Sequence, residues 1–160
     1  KTMAEGGSKY NRGEADILMK HWLNLAQQIQ LVEPEMVASG HFSAGIISPY
    51  QAQVKHIRER LHNHPDLVDI AQWLDINSVD GFQGQERDVI YISLVRSNDK
   101  GKIGFLEDTR RMNVALTRAR KKLIVIGDSG TLGQNAFYQH FLDYIDQIGA
   151  YRSAWEWMGE

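Results

Sequence analysis

Two short apolar runs constrain the fold of this chain more than any other feature. Val89–Val95 and Leu123–Gly127 are rich in β-branched side chains and too short for a core helix, so each predicts a buried strand. A polar segment precedes each run, Ser78–Asp88 before the first and Arg110–Arg120 before the second. Because loops at the ends of parallel strands build ligand sites, the sequence predicts half of a nucleotide site here.

Helical and strand patterns alternate along the rest of the chain. The predicted helices are Asn11 to about Leu31, a helix that begins near Ser48 and Pro49 and ends before His64, Asp108–Arg120, and Asn135–Ile148. In the last of these, Phe137, Phe141, Tyr144 and Ile148 are predicted to face inward. Further predicted strands are Ala44–Ser48 and Leu74–Val79. The segment 67–73 is ambiguous. This alternation predicts one α/β domain of three layers with a mainly parallel sheet, preceded by a lead-in (1–8) and followed by a tail (150–160).

Composition sets limits on the class of protein. At 160 residues and 42% hydrophobic, the chain can bury the core of one domain. The net charge of -2 gives no basic field around the whole molecule, so any attraction to nucleic acid must be local. The absence of cysteine excludes disulfides and thiolate metal sites. Without a long apolar run or a signal-peptide core, we expect no membrane partner and a cytoplasmic (or nuclear) location.

One local positive patch stands out. From Arg110 to Lys122 there are six basic residues and no acid. If this segment is a continuous helix, Arg111 and Arg118 lie two turns apart and about 20° from one another around the axis. Such a shared flank would suit phosphate, because the guanidinium fork donates two hydrogen bonds to it. A solvated basic face near a helix C-terminus explains the same pattern without a ligand.

The segment from Gly81 to Glu86 is the second candidate site. Its two glycines permit a tight turn in which backbone amides approach a ligand closely. Glu86 could accept hydrogen bonds from a ribose, as an acidic residue does in dinucleotide sites. An ordinary glycine turn between strands is the alternative.

Two other features have simpler explanations beside the functional ones. His62 and His64 could suggest a metal, but no carboxylate or thiol stands at a ligand spacing, so we predict a helix-ending loop and no metal site. Trp155 and Trp157 could stack on bases or dock on their own domain.

Three motifs in order resemble the C-terminal RecA-like domain of superfamily 1 helicases, in the branch of the nonsense-mediated-decay and Sen-type enzymes. Gly45–Gln53 is similar to motif IV, Ser78–Asp88 to motif V with its Gln-Gly-x-Glu core, and Arg110–Arg120 to motif VI. Gly7–Ala15 is similar to the segment that leads into this domain. The resemblance implies a RecA-like (P-loop NTPase-like) fold.

The resemblance also implies roles for single residues. Arg118 would be the arginine finger that contacts the γ-phosphate of ATP, and Glu86 would hold the ribose. Gly84 would belong to the nucleotide site, and Gln83 and Arg111 would support the phosphate site or couple it to the nucleic-acid groove. The implied contacts to nucleic acid are Ser78, Pro49, Tyr50 and Gln53.

The chain lacks two sequence features of a complete helicase. It contains no Gly-x-x-x-x-Gly-Lys-Ser/Thr phosphate loop and no acidic pair at a strand end for magnesium. We therefore expect an N-terminal RecA-like domain, absent from this chain, to hold Mg²⁺ and most of the ATP, and this polypeptide to be inactive alone. The implied partners are that domain and single-stranded DNA or RNA. The alternative is a stand-alone RecA-like module that binds nucleic acid or protein without catalysis.

Overall fold

A computed structural model describes residues 1–82 and 84–158. The strands are β1 (Met3–Glu5), β2 (Ser8–Tyr10), β3 (Ala44–Ser48), β4 (Leu74–Ser78), β5 (Arg87–Ser93) and β6 (Ala119–Ile126). The α-helices are α1 (Arg12–Val32), α2 (Pro34–Ala38), α3 (Gln51–Asn63), α4 (Pro65–Ala71), α5 (Thr109–Leu116), α6 (Ser129–Leu132), α7 (Ala136–Gln147) and α8 (Trp155–Met158). Two short 3₁₀ turns cover Asp80–Phe82 and Gly104–Glu107.

The central sheet has four parallel strands in the order β4-β3-β5-β6. This confirms the predicted α/β class and parallel sheet. Strands β1 and β2 pair antiparallel, so part of the predicted lead-in is a hairpin. Its Ser8 hydroxyl accepts a hydrogen bond from the backbone N–H of Ala52 over 3.2 Å, which joins the hairpin to α3.

Helices and loops cover both faces of the sheet. On one face α1, α3 and α4 bury a cluster that includes Leu18, Trp22, Ile46, Ile57, Leu61 and Tyr91. On the other face the β4–β5 connection, α5 and α7 enclose a second cluster that includes Ile47, Phe82, Ile90, Ile92, Met112 and Tyr138. The predicted three-layer arrangement is therefore confirmed, with one hydrophobic core on each side of the strands.

Local signals explain where the helices on the first face begin. The Asn11 side chain accepts a hydrogen bond from the backbone N–H of Glu14 over 3.3 Å, which satisfies a free donor at the start of α1. Pro65 occupies the first turn of α4, where its missing N–H costs nothing. The ambiguous segment 67–73 is thus mostly helix, because the proline restarts a helix after α3.

Gly45 in β3 makes room for the β4–β5 connection. A Cβ atom added there would lie 2.7 Å from the Phe82 ring and 2.9 Å from Ile90 Cδ1. Phe82 is almost completely buried and therefore seats the connection directly on the sheet. Glycine at position 45 is required by this close approach.

The predicted helix Asp108–Arg120 is too long. Helix α5 ends at Leu116, and Thr117 is its C-cap residue, whose hydroxyl donates to the carbonyls of Asn113 and Val114 over 3.0 and 3.1 Å. Strand β6 then begins at Ala119 rather than at the predicted Leu123. The extra residues fit because the register between β5 and β6 shifts by one residue at this end, as in a β-bulge.

The C-terminal part also differs from expectation in detail. Helix α7 lies where it was predicted, but Tyr144 and Ile148 are more than half exposed, so their predicted inward orientation is wrong. In the tail, the Trp157 ring packs 4.8 Å from that of His21, whereas Trp155 is 79% exposed. None of the helices in the described part combines the length and apolar character needed to cross a bilayer.

Candidate nucleotide and nucleic-acid sites

The parallel sheet has two rims that separate the predicted site residues into two groups. We call the edge where β5 and β6 begin the amino rim and the edge where β3, β4 and β5 end the carboxyl rim. Arg87 pairs with Ala119 at the amino rim, and Ser48 pairs with Ser78 at the carboxyl rim. The predicted nucleotide and nucleic-acid residues divide between these rims.

Glu86 and Arg118 lie side by side at the amino rim. Each immediately precedes one of two paired strands, and the backbone N–H of Arg87 donates to the carbonyl of Arg118 over 3.0 Å. They are 32 positions apart in sequence but neighbours in the fold. The sheet register therefore makes the backbones of Glu86 and Arg118 neighbours, although the sequence places them on separate segments.

The Arg118 side chain is fixed at one end and open at the other. Its Nε donates to the carbonyl of Val114 over 3.0 Å, and its Nη2 donates to the Thr117 hydroxyl over 3.3 Å. Its Nη1 donates to no atom of the described residues. The guanidinium is thus held against the end of α5 with a donor left over for a ligand.

Glu86 is exposed, and its side chain accepts no hydrogen bond within the part of the chain described. Two residues before it, Gly84 has φ +76, a left-handed conformation that glycine adopts without strain. Gln83 lies outside the described residues. The turn therefore presents a free carboxylate beside Arg118.

Arg111 lies on α5 as predicted, but α5 ends at Leu116, before Arg118. The two arginines therefore do not stand on one continuous helix, and the predicted shared flank does not form. Arg111 instead forms ion pairs with Asp80 (3.3 Å) and Asp108 (3.6 Å). It thus ties α5 to the start of the β4–β5 connection.

The basic residues that follow Arg118 belong to β6. Arg120 and Lys121 lie 3.6 and 3.7 Å from the buried carboxylate of Asp88. Burial opposes ionisation of Asp88, but hydrogen bonds from Ser43 and these two cations lower its pKa overall. The Asp88 carboxylate in β5 thus neutralises part of the positive patch.

Ser78, Pro49 and Tyr50 lie at the carboxyl rim. Ser78 and Pro49 are partly exposed, so both can touch a ligand. Tyr50 is buried, and its hydroxyl donates to the carbonyl of Ile103 over 3.3 Å. Tyr50 therefore lies beneath the surface formed by Ser78 and Pro49 and is not exposed on it.

Gln53 has no exposed surface, so the predicted contact between its side chain and nucleic acid does not fit the structure. Its Nε2 donates to the Ser93 hydroxyl over 2.9 Å and to the carbonyl of Asn11 over 3.2 Å, and its Oε1 accepts from the backbone N–H of Asn11 over 2.8 Å. All of its polar atoms are engaged inside the domain, where they join α1, α3 and β5.

Sequence reasoning missed the buried carboxylate in the same cluster. Glu14 accepts from the Ser93 hydroxyl over 2.7 Å and from the backbone N–H of Val95 over 2.8 Å. Val95 has φ +71, unusual for a β-branched residue. Burial raises the pKa of Glu14 to about 7 despite these hydrogen bonds. The Asn-x-x-Glu spacing at the start of α1 is the signal in the sequence from which Glu14 could have been found.

No group of three or more His, Asp or Glu side chains suited to a metal ion occurs in residues 1–82 and 84–158. His62 caps the carbonyl of Arg58 over 2.8 Å, and His64 precedes α4. His62 thus lies in the last turn of α3, and only His64 lies in the connection between α3 and α4.

Comparison with known proteins identifies the family. The chain matches the AAA domain family over residues 1–130. It is 48% identical to the DNA polymerase alpha-associated DNA helicase A of Saccharomyces cerevisiae over 122 residues, 76% of this chain and 16% of that protein. It is 40% identical to the DNA-binding protein SMUBP-2 of Mus musculus over 154 residues, 96% of this chain and 14% of that protein.

A third relative points to the Sen branch. The chain is 38% identical to Helicase sen1 of Schizosaccharomyces pombe over 136 residues, which cover 85% of this chain and 8% of that protein. The chain thus spans less than a fifth of the length of each of these relatives. With its parallel sheet and its family match, it belongs to the AAA domain family and is a superfamily 1 helicase domain of the Sen and nonsense-mediated-decay type.

Proposed function

We propose that this chain is the C-terminal motor domain of an ATP-dependent DNA or RNA helicase and supplies motifs IV, V and VI. The observation that carries the proposal is the adjacency of Glu86 and Arg118 at the amino rim, fixed by the hydrogen bond between the Arg87 amide and the Arg118 carbonyl. A binding module has no need for a carboxylate and an arginine side by side at an exposed rim. A nucleoside triphosphate shared with a second domain needs both.

The residues at the amino rim fit the outer parts of ATP. Glu86 offers acceptors for ribose hydroxyls, and Arg118 offers a free Nη1 donor for a phosphate oxygen. The left-handed turn at Gly84 leaves the backbone nearby uncovered by a side chain. The described residues offer no carboxylate cluster for Mg²⁺, so we assign the metal and the phosphate loop to an N-terminal RecA-like domain.

Arg118 would act by electrostatics. Mg²⁺ held by the other domain would supply charge neutralisation of the phosphates, and Arg118 would stabilise the charge that develops on the transferred phosphoryl group. Such a finger contributes about 10³ to 10⁵ in rate. The bonds from Arg118 to Val114 and Thr117 hold the guanidinium in place before ATP arrives.

Nucleic acid would bind at the carboxyl rim, away from ATP. Ser78 and Pro49 are our candidates for contact there, and Tyr50 and Gln53 shape that surface from within. Closure of the two domains on ATP and their opening after hydrolysis would then move a strand gripped at this rim. Because the contacts are mostly to backbone, sequence preference should be weak.

Replacement of the finger tests the proposal. In the intact protein, Arg118→Ala should reduce ATP turnover by about 10³-fold or more, while nucleotide binding persists in part. Arg152→Ala, an exposed arginine outside the three motifs, is the matched control and should leave turnover near that of the wild type. Equal turnover in the Arg118→Ala protein and the wild type would refute the finger role.

The absence of a phosphate loop from this chain favours a second candidate, a RecA-like module that binds nucleic acid or protein without catalysis. The gene sequence upstream of the codon for Lys1 separates the two. A phosphate loop encoded there supports the helicase, and a gene that starts at this chain supports the module.

A further inference from the structure

A large aromatic side chain projects into solvent from the carboxyl rim. Phe105 is 63% exposed, although it lies in a 3₁₀ turn whose next residue, Leu106, is completely buried. An exposed phenylalanine is not unusual by itself. Its surroundings are what make this one informative.

Several contacts hold the turn that carries Phe105. The ring lies 5.5 Å from that of Tyr50, at an angle of 38°. The Tyr50 hydroxyl donates to the carbonyl of Ile103, and the Tyr138 hydroxyl donates to that of Leu106 over 2.7 Å. The carbonyls on both sides of Phe105 are therefore anchored from the core, and the exposed ring stands on a fixed support.

One cation lies beside the turn that carries the ring. The segment 94–108 contains three basic and three acidic residues, so the positive charge there is local to Arg96. Arg96 curls around the turn and donates from Nε and Nη2 to the carbonyl of Lys102 over 2.9 and 2.6 Å. Its Nη1 lies 3.3 Å from where a Cβ on Gly104 would be, next to the Tyr50 hydroxyl. The guanidinium thus lies beside the residue that precedes Phe105.

The position of Tyr50 relates this cluster to the proposed strand-binding surface. Tyr50 follows Pro49 at the end of β3, and β3 pairs with β4 up to Ser78. Phe105 therefore extends the surface formed by Pro49 and Ser78. None of the three motifs that resemble the helicase family includes it.

We propose that Phe105 is a stacking contact for one base of a single strand and that Arg96 binds an adjacent phosphate. A flat aromatic face next to a cation is the arrangement by which proteins hold single strands without reading their sequence, since every base has a face to stack. This inference rests on the proposed function, because it assumes that the carboxyl rim binds single-stranded nucleic acid.

A strand that lacks single bases tests the stacking contact. In the intact protein, Phe105→Ala should weaken binding of a labelled dT or rU oligonucleotide by about five- to a hundredfold, and Phe105→Trp should retain affinity. For the wild type, an abasic site at one position should cause a similar loss. The Phe105→Ala protein should show no further loss at that position, because the two changes remove the same contact.

The salt dependence of oligonucleotide binding distinguishes the role of Phe105 from that of Arg96. Phe105→Ala should leave the slope of log K against log salt unchanged, and Arg96→Ala should reduce it by about one unit because one phosphate contact is lost. Tyr144→Ala, an exposed aromatic on α7, is the control and should bind as the wild type does.

The failures are distinguishable. If the wild type binds no single strand, the proposed function fails. If the wild type binds but Phe105→Ala binds within twofold of it, only the stacking contact fails. If Phe105→Ala raises the KM for ATP and leaves strand affinity unchanged, Phe105 faces the partner domain and the inference is overturned.

Discussion

The backbone amide of Arg87 donates to the carbonyl of Arg118 over 3.0 Å, and this one hydrogen bond aligns the two segments that resemble helicase motifs V and VI. It sets Glu86 beside Arg118 at the start of two parallel strands. Since paired strands cannot slip independently, the sheet fixes the backbones of Glu86 and Arg118 as neighbours.

Glu86→Gln should remove the preference for a ribose over a deoxyribose. If the carboxylate accepts hydrogen bonds from ribose hydroxyls, its loss should raise the KM for ATP about tenfold, the value of one hydrogen bond to a charged group, and leave the KM for dATP nearly unchanged. Steady-state ATPase assays of the intact protein measure both. Glu107→Gln, at the other rim, is the matched control, and an equal effect of Glu86→Gln on ATP and dATP would contradict ribose contact.

Gly45→Ala should destabilise the domain and disturb the nucleotide site together. The added methyl would meet the Phe82 ring at 2.7 Å, and overpacking of this kind costs about 1–3 kcal/mol. Because Phe82 seats the connection that carries Glu86, the KM for ATP should rise as well. Urea unfolding and ATPase assays check the two effects. Gly13→Ala, inside α1, where an added Cβ would meet only Asn11 Oδ1 at an ordinary 3.5 Å, should be neutral or stabilising.

Glu14→Gln should abolish one component of the pH dependence of stability. Burial raises the pKa of Glu14 from 4.5 to about 7, with Asp128 as the neighbouring acid that adds to the effect. The folded state therefore holds this proton more tightly than the unfolded state, so the stability it contributes is full below pH 4.5 and is lost as the pH rises to 7. The loss is at most about 3 kcal/mol.

Urea unfolding between pH 4.5 and 8 measures this effect. The free energy of unfolding of the wild type should fall across the window, and that of Glu14→Gln should fall less steeply. Glu33→Gln, an exposed glutamate after the same helix, should behave as the wild type. Parallel curves for wild type and Glu14→Gln would show that Glu14 titrates normally.

The amino-acid sequence alone determined the class of fold. The apolar run Val89–Val95 is short and rich in β-branched residues, which favours a buried strand. The helix that starts at Asn11 is predicted by its capping residue and by the spacing of its apolar residues. These features depend on residues near each other in the chain, so periodicity and capping signals are enough to find them. The motifs around Glu86 and Arg118 could be recognised from the sequence because each is a continuous segment of the chain.

Only the tertiary structure decided how those residues are arranged. The sequence suggested one long helix through Arg118, but strand pairing with Arg87 and the Thr117 cap end α5 earlier and separate Arg118 from Arg111. Gln53 was predicted to contact nucleic acid at the surface, but in the structure it is buried at the carboxyl rim with Glu14 and Ser93. Strand register and burial depend on contacts between residues far apart in the chain, and no local pattern encodes them.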